Sequence, residues 1–514
     1  MEWNEAIADL ESRREQARLG GGQAAIDKQH EKGKLTARER LDLLFDEGTF
    51  VEVNDLVESR IDDFGLDKKR VPGDGVVTGY GKVNGRTVFA CSEDFTVIGG
   101  SLGEYHSRKI VNIQDMALKM RCPIVTINDS GGARIEEGID SLNGYAGIFE
   151  RNTIASGVIP QITVILGPCS GGACYSPAIC DYIFVVDEIS KMFITGPQVV
   201  KTVIGEELSP EELGGAMTHA SKSGVAHFFY KSEKNCLGGV RELLSYLPDS
   251  NQAPLPVRQG RSIDQCKNLV NIVPDNKKKG YDVHDVINAM IDRDSFFEVQ
   301  KHWAKNAVVG FGRIEGNTIG FVCNQANFKG GSLDIDASDK MARFIRFCDC
   351  FNIPLVSLID VPAFLPGSEQ EHNGIIRHGA KLLYAFSEAT VPKISLIMRK
   401  AYGGAYIAMN SKLMGADIVY AWPIAEIAVM GAEGAINIVG RRQIQEAEDP
   451  EAKRAELIEE YSNKILNPYI AAKRGFVDEV IRPDETRAKI LVALDALKTK
   501  EVIRPYKKHG NIPL

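Results

Sequence analysis

Lys393 to Asn410 reads KISLIMRKAYGGAYIAMN. Lys393 to Met398 is short, apolar and β-branched, the pattern of a buried strand. Tyr402, Gly403, Gly404 and Ala405 follow, and Tyr406 to Met414 has helical character. A strand that passes through two glycines into a helix leaves unpaired backbone N–H groups at the helix start. Glycine has no side chain, so a ligand can approach those groups closely. Such a turn suits a developing negative oxygen. One copy is a weak signal, because many strand–Gly-Gly–helix turns serve only to redirect the chain.

The chain carries this device twice. Gln161 to Asp181 reads QITVILGPCSGGACYSPAICD, with a strand at Ile162 to Leu166 running into Gly171, Gly172 and Ala173. Gly172 and Gly404 are 232 positions apart, as are Pro160 and Pro392. A spacing of 231 relates Gly79 to Gly310, Gly100 to Gly331, Lys109 to Lys340 and Asp129 to Asp360. The period is too long for a solenoid repeat, so one fold has been used in two tandem domains.

Composition agrees with that scale. A chain of 514 residues accommodates two domains, each with its own core. Its net charge of −8 argues against a nucleic-acid partner. The N-terminus, MEWNEAIADLESRREQ, is charged and helical rather than signal-like, and no apolar run approaches the roughly 18 residues of a membrane span. A cytoplasmic protein is expected. The ten cysteines include no Cys-x-x-Cys, so buried reduced thiols are expected and a metal site is not.

Each half reads as hairpin, helix, strand, glycine loop, helix, strand, glycine loop, helix, which indicates α/β layering. The first hairpin spans Val76 to Ser92 with its turn at Asn84-Gly85, and the second spans Gly310 to Asn324. Ser107 to Met120 reads as a helix, and the strand Ile124 to Asn128 leads into DSGGARIEEG. Gly131, Gly132, Ala133 and Arg134 in that loop are candidate substrate contacts. The polar stretch Leu247 to Lys279 reads as a linker, giving domains 1–255 and 256–514. The Lys/Arg cluster in GKLTARER either meets phosphates or forms a solvated helix face. Ala117-Leu118-Lys119-Met120 resembles a biotin-attachment tetrapeptide, but it sits in a helical pattern rather than at a hairpin tip. It reads as ordinary helix.

No Gly-x-Ser-x-Gly elbow and no metal-ligand cluster is present. His372 and His378 lie near the second loop in sequence; a lone histidine on a helix is more often structural. A site built from backbone N–H groups suits a thioester enolate, and a second such site suits a second carbonyl that also becomes anionic.

The whole chain resembles the carboxyltransferase subunits of biotin-dependent acyl-CoA carboxylases, the group of propionyl-CoA carboxylase β and methylmalonyl-CoA decarboxylase α. DFTVIGGSLGE (94–104), INDSGGARIEEG (127–138), GPCSGGACYSPA (167–178), QEHNGIIRHGAKLLYA (370–385), RKAYGGAYIAM (399–409) and AEIAVMGAEGA (425–435) carry the match. The resemblance implies two crotonase-like ββα-superhelix domains and a homohexamer with sites shared between subunits. It implies that Gly171 and Gly172 hold the acyl-CoA thioester oxygen, and that Gly404 and Ala405 hold the ureido oxygen of biotin. The carboxylated biotin would release CO2, its ureido anion would take the α-proton, and the enolate would attack CO2, with no side-chain base and no metal. Tyr402, Ile407 and His372 are further candidate substrate contacts.

The expected partners are a biotin carboxyl carrier protein and a biotin carboxylase subunit, on separate chains, or a membrane decarboxylase subunit. Many propionyl-type members have Asp where this chain has Ile407, and Cys174 and Cys180 also depart from the family pattern. Ile407 either walls the acyl site or packs in the helix core. Three readings follow: a carboxylase carboxyltransferase, the α subunit of a sodium-pumping decarboxylase, or a non-catalytic CoA-binding scaffold. The two intact glycine loops argue against the last.

Overall fold

A computed structural model describes residues 2–260 and 264–514. The chain forms two compact units, Met1–Pro254 and Leu255–Leu514.

The first unit begins with three helices, α1 (Trp3–Leu19), α2 (Gln23–Glu31) and α3 (Ala37–Leu44). Thr36 caps α3 by accepting the Glu39 N–H, while Glu39 returns to the Thr36 N–H. This reciprocal box starts the helix one residue after Thr36. The strands are β1 (Val51–Glu52), β2 (Val76–Val83), β3 (Arg86–Glu93), β4 (Ile124–Ser130), β5 (Gln161–Ser170), β6 (Tyr182–Val186), β7 (Lys191–Phe193) and β8 (Phe228–Tyr230). They pair in the order β1-β2-β3-β4-β5-β6-β8, with β7 beside the end of β5. The β1–β2–β3 portion is antiparallel and the remainder parallel. Helices α4 (Glu104–Met120) and α5 (Ile139–Ala155) supply the crossovers.

The second unit repeats this plan. Its strands are β9 (Phe297–Val299), β10 (Ala307–Ile314), β11 (Asn317–Asn324), β12 (Leu355–Val361), β13 (Lys393–Tyr402), β14 (Ile418–Ala421), β15 (Glu426–Ala428) and β16 (Glu479–Val480). Their order is β16-β14-β13-β12-β11-β10-β9, with β15 beside β13. The repeat extends to torsions: Asn84 and Gly85 have φ of 50° and 78°, and Glu315 and Gly316 have the same pair. Those left-handed pairs match the turn that a twisted two-residue hairpin requires. The β4–β5 register shifts at Asp129, between Asn128 and Ser130, and the β12–β13 register shifts at Asp360, between Ile359 and Val361.

Two buried lysines are duplicated as well. Lys109 of α4 donates to the Gly73 carbonyl at 2.9 Å and also to that of Val76. Lys340, on the helix Ile335–Cys350, donates to the Ala304 and Ala307 carbonyls, each 231 positions further on. Burial pushes both ammonium groups down to about 8, with carbonyl oxygens rather than carboxylates as their hydrogen-bond partners.

The elements depart from the sequence reading in three places. Strand β13 continues to Tyr402, because Lys400, Ala401 and Tyr402 pair with β15. The following helix begins at Gly403 and ends at Ala408, rather than running from Tyr406 to Met414. The Leu247–Lys279 stretch is only partly a linker: Cys266 and Leu269 are fully buried in the second core beside Val283, Ile287 and Trp422. Residues 261–263 of that stretch lie outside the described residues. Lys119 lies in the last turn of α4, as its helical pattern predicts.

Candidate active site

The site begins with two aspartates. Asp129 and Asp360 stand at the ends of the central strands β4 and β12, both fully buried. Asp129 receives Lys34 at 2.7 Å, Arg40 at 2.9 Å and the Gln29 amide at 3.0 Å. Arg40 is itself fully buried and also holds Glu233, 2.8 Å from Nε. The basic cluster of GKLTARER therefore meets neither phosphates nor solvent through Arg40 and Lys34; it neutralises carboxylates inside the first unit. Asp360 receives Arg399 at 2.9 Å, and the other side of that guanidinium donates to the carbonyls of Pro274, Asn276 and Lys279. Each arrangement pins the end of a central strand just where the following loop leaves.

Glu93 supports the first of these ends. Its Oε2 accepts the Asp129 N–H at 3.0 Å, and the equivalent Asn324 accepts the Asp360 N–H at 3.2 Å. Burial pushes the Glu93 carboxyl up to about 8, and the neighbouring Asp129 charge adds to the effect. Glu93 is thus a neutral acid near pH 7, matching the uncharged amide at the equivalent position. His106, 3.7 Å away, is held neutral by burial, down to about 3.

The two glycine turns follow. In the first unit β5 ends at Ser170, Gly171 adopts φ 61°, and the turn Gly171–Cys174 leads into α6 (Tyr175–Ile179). In the second unit β13 ends at Tyr402, Gly403 adopts φ 58°, and the helix Gly403–Ala408 begins at once. Gly171 and Gly403 are the left-handed residues, so Gly171, Gly172 and Ala173 correspond to Gly403, Gly404 and Ala405. The N–H groups of such a first turn have no acceptor within their own helix. A Cβ at Gly404 would meet nothing within 4 Å, whereas one at Gly172 would lie 3.1 Å from the Tyr145 ring. The second turn is open above its glycine, and the first rests on an aromatic floor.

Of the DSGGARIEEG loop, Gly131 is exposed and Ala133 half-buried, while Gly132 and Arg134 are buried. The Gly131 N–H is bound to the Gly99 carbonyl at 3.0 Å. Arg134 pairs with Asp74 at 2.9 Å and Glu137 at 2.7 Å. These pairs fix the loop from a buried guanidinium. His372 is exposed on the helix Ser368–His372, and His378 pairs with Asp339 at 2.8 Å. Ile407, 45% exposed, lies on the open face of the helix after Gly404 rather than in its core.

The carboxyl transferase domain model matches residues 28–512. The chain belongs to the carboxyl transferase family. The carboxyltransferase subunit of propionyl-CoA carboxylase from Haloferax mediterranei is 56% identical over 100% of both chains. Methylmalonyl-CoA decarboxylase subunit alpha from Propionigenium modestum is 55% identical over 99% of both. The transcarboxylase 12S crystal structure, described as a hexamer with methylmalonyl-coenzyme A bound, superposes with a TM-score of 0.97 at 51% identity, covering 100% of this chain and 99% of its own. These matches place the chain among the carboxyltransferases of the propionyl-CoA carboxylase and methylmalonyl-CoA transcarboxylase group, with the crotonase-like two-domain fold.

Three features of this carboxyltransferase escaped sequence reasoning. Tyr402 donates its hydroxyl to Glu426 across the β13–β15 pair, and burial raises its phenol further above its ordinary range. Lys277, lowered by burial, donates to the Ile424 carbonyl beside that pair. Arg40 reaches Asp129 across 89 positions. AEIAVMGAEGA was visible as a motif, but nothing local marks Glu426 as the partner of Tyr402. Among the described residues no His, Cys, Asp and Glu cluster is placed to hold a metal ion, and no helix is long and apolar enough to cross a membrane.

Proposed function

We propose that this carboxyltransferase moves a carboxyl group between biotin on a carrier protein and the α-carbon of a short-chain acyl-CoA, with propionyl-CoA and methylmalonyl-CoA as the pair. The carrying observation is the duplicated glycine turn, one at the end of β5 and one at the end of β13. Residues 1–255 serve the acyl-CoA and residues 256–514 the biotin.

Gly171 and Gly172 point backbone N–H groups at the thioester oxygen, where charge collects as the α-proton leaves. Donors fixed before the reaction stabilise that charge without reorganising. Gly404 and Ala405, one position further along their turn than Gly171 and Gly172 are along theirs, hold a ureido oxygen, and the open space over Gly404 fits a bicyclic ring that must approach the backbone closely. Biotin, when bound, supplies the transferable carboxyl group and, once that has left, a basic nitrogen. The chain's own role is to bind, orient and stabilise two oxyanions; no side-chain base is assigned. Ile407 walls the acyl side, Tyr402 fixes the second turn through Glu426, and Gly131, Gly132 and Ala133 shape the neighbouring loop. His372, exposed at the end of its short helix, is a further substrate contact.

A hexamer with sites shared between subunits is supported by the likeness to transcarboxylase 12S, which is described as a hexamer. Exposed Ile135, Ile139 and Leu142 in the first unit, and Val429, Ile438 and Val439 in the second, offer apolar surface for such contacts. The partners are a biotin carrier protein and a biotin carboxylase, and the setting is cytoplasmic.

The second reading is the decarboxylase direction, favoured by the 55% identity to the Propionigenium modestum subunit. The soluble half-reaction is the same, so the co-purifying subunit distinguishes the two. The test of the shared reading is transfer of label from carboxyl-labelled methylmalonyl-CoA to biotinylated carrier by the purified chain. Label on biotin is expected, and its absence at saturating substrate refutes the reading.

A further inference from the structure

The first glycine turn differs from the second in one chemical respect: a cysteine stands on each side of it. Cys169 is the penultimate residue of β5, and Cys174 closes the turn Gly171–Cys174. The equivalent positions in the second unit are Ala401 and Tyr406. Cys174 Sγ lies 2.7 Å from the Cys169 carbonyl oxygen, and Cys169 Sγ lies 3.1 Å from the Ala173 carbonyl oxygen. Each sulfur thus sits against the backbone of the other's neighbourhood, with Ser170, Gly171, Gly172 and Ala173 looped between. A disulfide needs Cα atoms about 4.4–6.8 Å apart, a separation the backbone sets; here the turn folds back so that each sulfur touches the backbone beside the other cysteine, and side-chain rotation then has only to bring the two sulfurs together.

We propose that Cys169 and Cys174 form an oxidisable dithiol, which a peroxide converts into a disulfide spanning the Gly171–Gly172 turn. Cys174 is the more accessible of the two, 7% exposed against 0% for Cys169, and the neighbouring Cys169 side chain lowers its pKa, which together make Cys174 the attacking sulfur. The Cys174 thiolate attacks one peroxide oxygen, the O–O bond breaks, and the leaving hydroxide takes a proton to become water. Cys174 is then a sulfenic acid. The Cys169 sulfur attacks the Cys174 sulfur, the S–O bond breaks, and hydroxide leaves with the Cys169 proton as a second water. Two thiols are oxidised and one peroxide is reduced to two waters.

The bond has a mechanical consequence. Rotating Cys174 toward Cys169 gives up its contacts with the Cys169 carbonyl and with the Phe193 carbonyl at 3.4 Å. The turn between them must then shift, and Gly172 has little room: a Cβ there already meets the Tyr145 ring. The two N–H groups leave their aligned positions. This last consequence rests on the role proposed for the turn, whereas formation of the disulfide does not.

The experiment treats the purified full chain with graded hydrogen peroxide, alkylates the remaining thiols and maps disulfides by mass under non-reducing conditions. The expected result is a Cys169–Cys174 link, two hydrogens lighter, at doses where buried Cys236 and Cys323 still alkylate after unfolding. Carboxyl transfer falls about tenfold or more in the treated protein and returns with dithiothreitol. In Cys174→Ala the ratio of treated to untreated activity stays near one. Wild-type protein also serves without any variant, since a trivalent phenylarsenical bridges only paired thiols and should add one arsenic across this peptide. Free alkylation of both cysteines after exposed Cys350 is fully oxidised overturns the proposal, as does a complete link with undiminished transfer. Absence of transfer before treatment would instead overturn the functional reading, while the mass arm still decides the dithiol.

Discussion

Arg399 of the second unit stands where the first unit has Gly167, and both positions face the aspartate at the end of the neighbouring central strand. Arg399 reaches Asp360 at 2.8 Å from its own strand. A Cβ on Gly167 would lie 1.8 Å from Asp129 Oδ1, so the first unit leaves the position bare and brings Arg40 from α3 and Lys34 from the loop before it instead. The same buried carboxylate is neutralised by two different routes.

Removing Arg40 leaves Asp129 and Glu233 facing each other without their shared cation. Breaking a buried pair in this way costs about 3–5 kcal/mol. Arg40→Ala should therefore destabilise the first unit by that order, read as faster hydrogen exchange in β4 and β5, with β12 and β13 unaffected. Arg399→Ala should show the reverse pattern. Uniform exchange in either variant would contradict the equivalence.

Glu93 makes stability depend on pH. Its folded pKa, pushed up to about 8, lies above the ordinary value of 4.5, so the folded chain holds a proton that the unfolded chain releases. Between those values stability falls as pH rises, and above about 8 the cost is complete. Glu93→Gln removes the ionisation and keeps an acceptor for the Asp129 N–H. The variant should gain on wild type from pH 6 to pH 8.5, by an amount on the order of a few kcal/mol at the upper end. A difference in Tm that does not change with pH contradicts this account.

The duplication was legible because glycines, Asp129/Asp360 and Lys109/Lys340 recur at a fixed spacing, each tied to a backbone need that substitution would violate. The two glycine turns were legible for the same reason. What escaped was non-local. Nothing near Tyr402 says that β13 runs on to meet β15, so the helix start fell three residues late. Polar residues hid that Cys266 and Leu269 join the core, and that the carbonyls of Pro274, Asn276 and Lys279 receive Arg399. Nothing near Arg134 in sequence says that it pairs with Asp74, sixty positions earlier.

Ile407 is 45% exposed on the helix that starts at the second turn, so its side chain is free to contact an acyl group. Discrimination of one methylene is worth about 1–3 kcal/mol. Ile407→Asp should change the ratio of kcat/KM for propionyl-CoA over acetyl-CoA by about tenfold or more, with propionyl-CoA the better substrate of the wild type. Steady-state kinetics with both thioesters provide the check, and an unchanged ratio in a variant of unchanged Tm would show that Ile407 has no part in selection.

Gly404→Pro tests the division of labour between the turns most directly. Proline is tolerated in the first turn of a helix, and a Cβ at Gly404 meets nothing within 4 Å, so the fold should survive while one N–H is lost. The measurement pairs two readings on the same variant: calorimetric binding of methylmalonyl-CoA, and transfer of its labelled carboxyl group to biotinylated carrier. The account predicts near wild-type CoA binding with transfer reduced about 10²–10³-fold. Loss of CoA binding in the folded variant, or transfer at the wild-type rate, would contradict it.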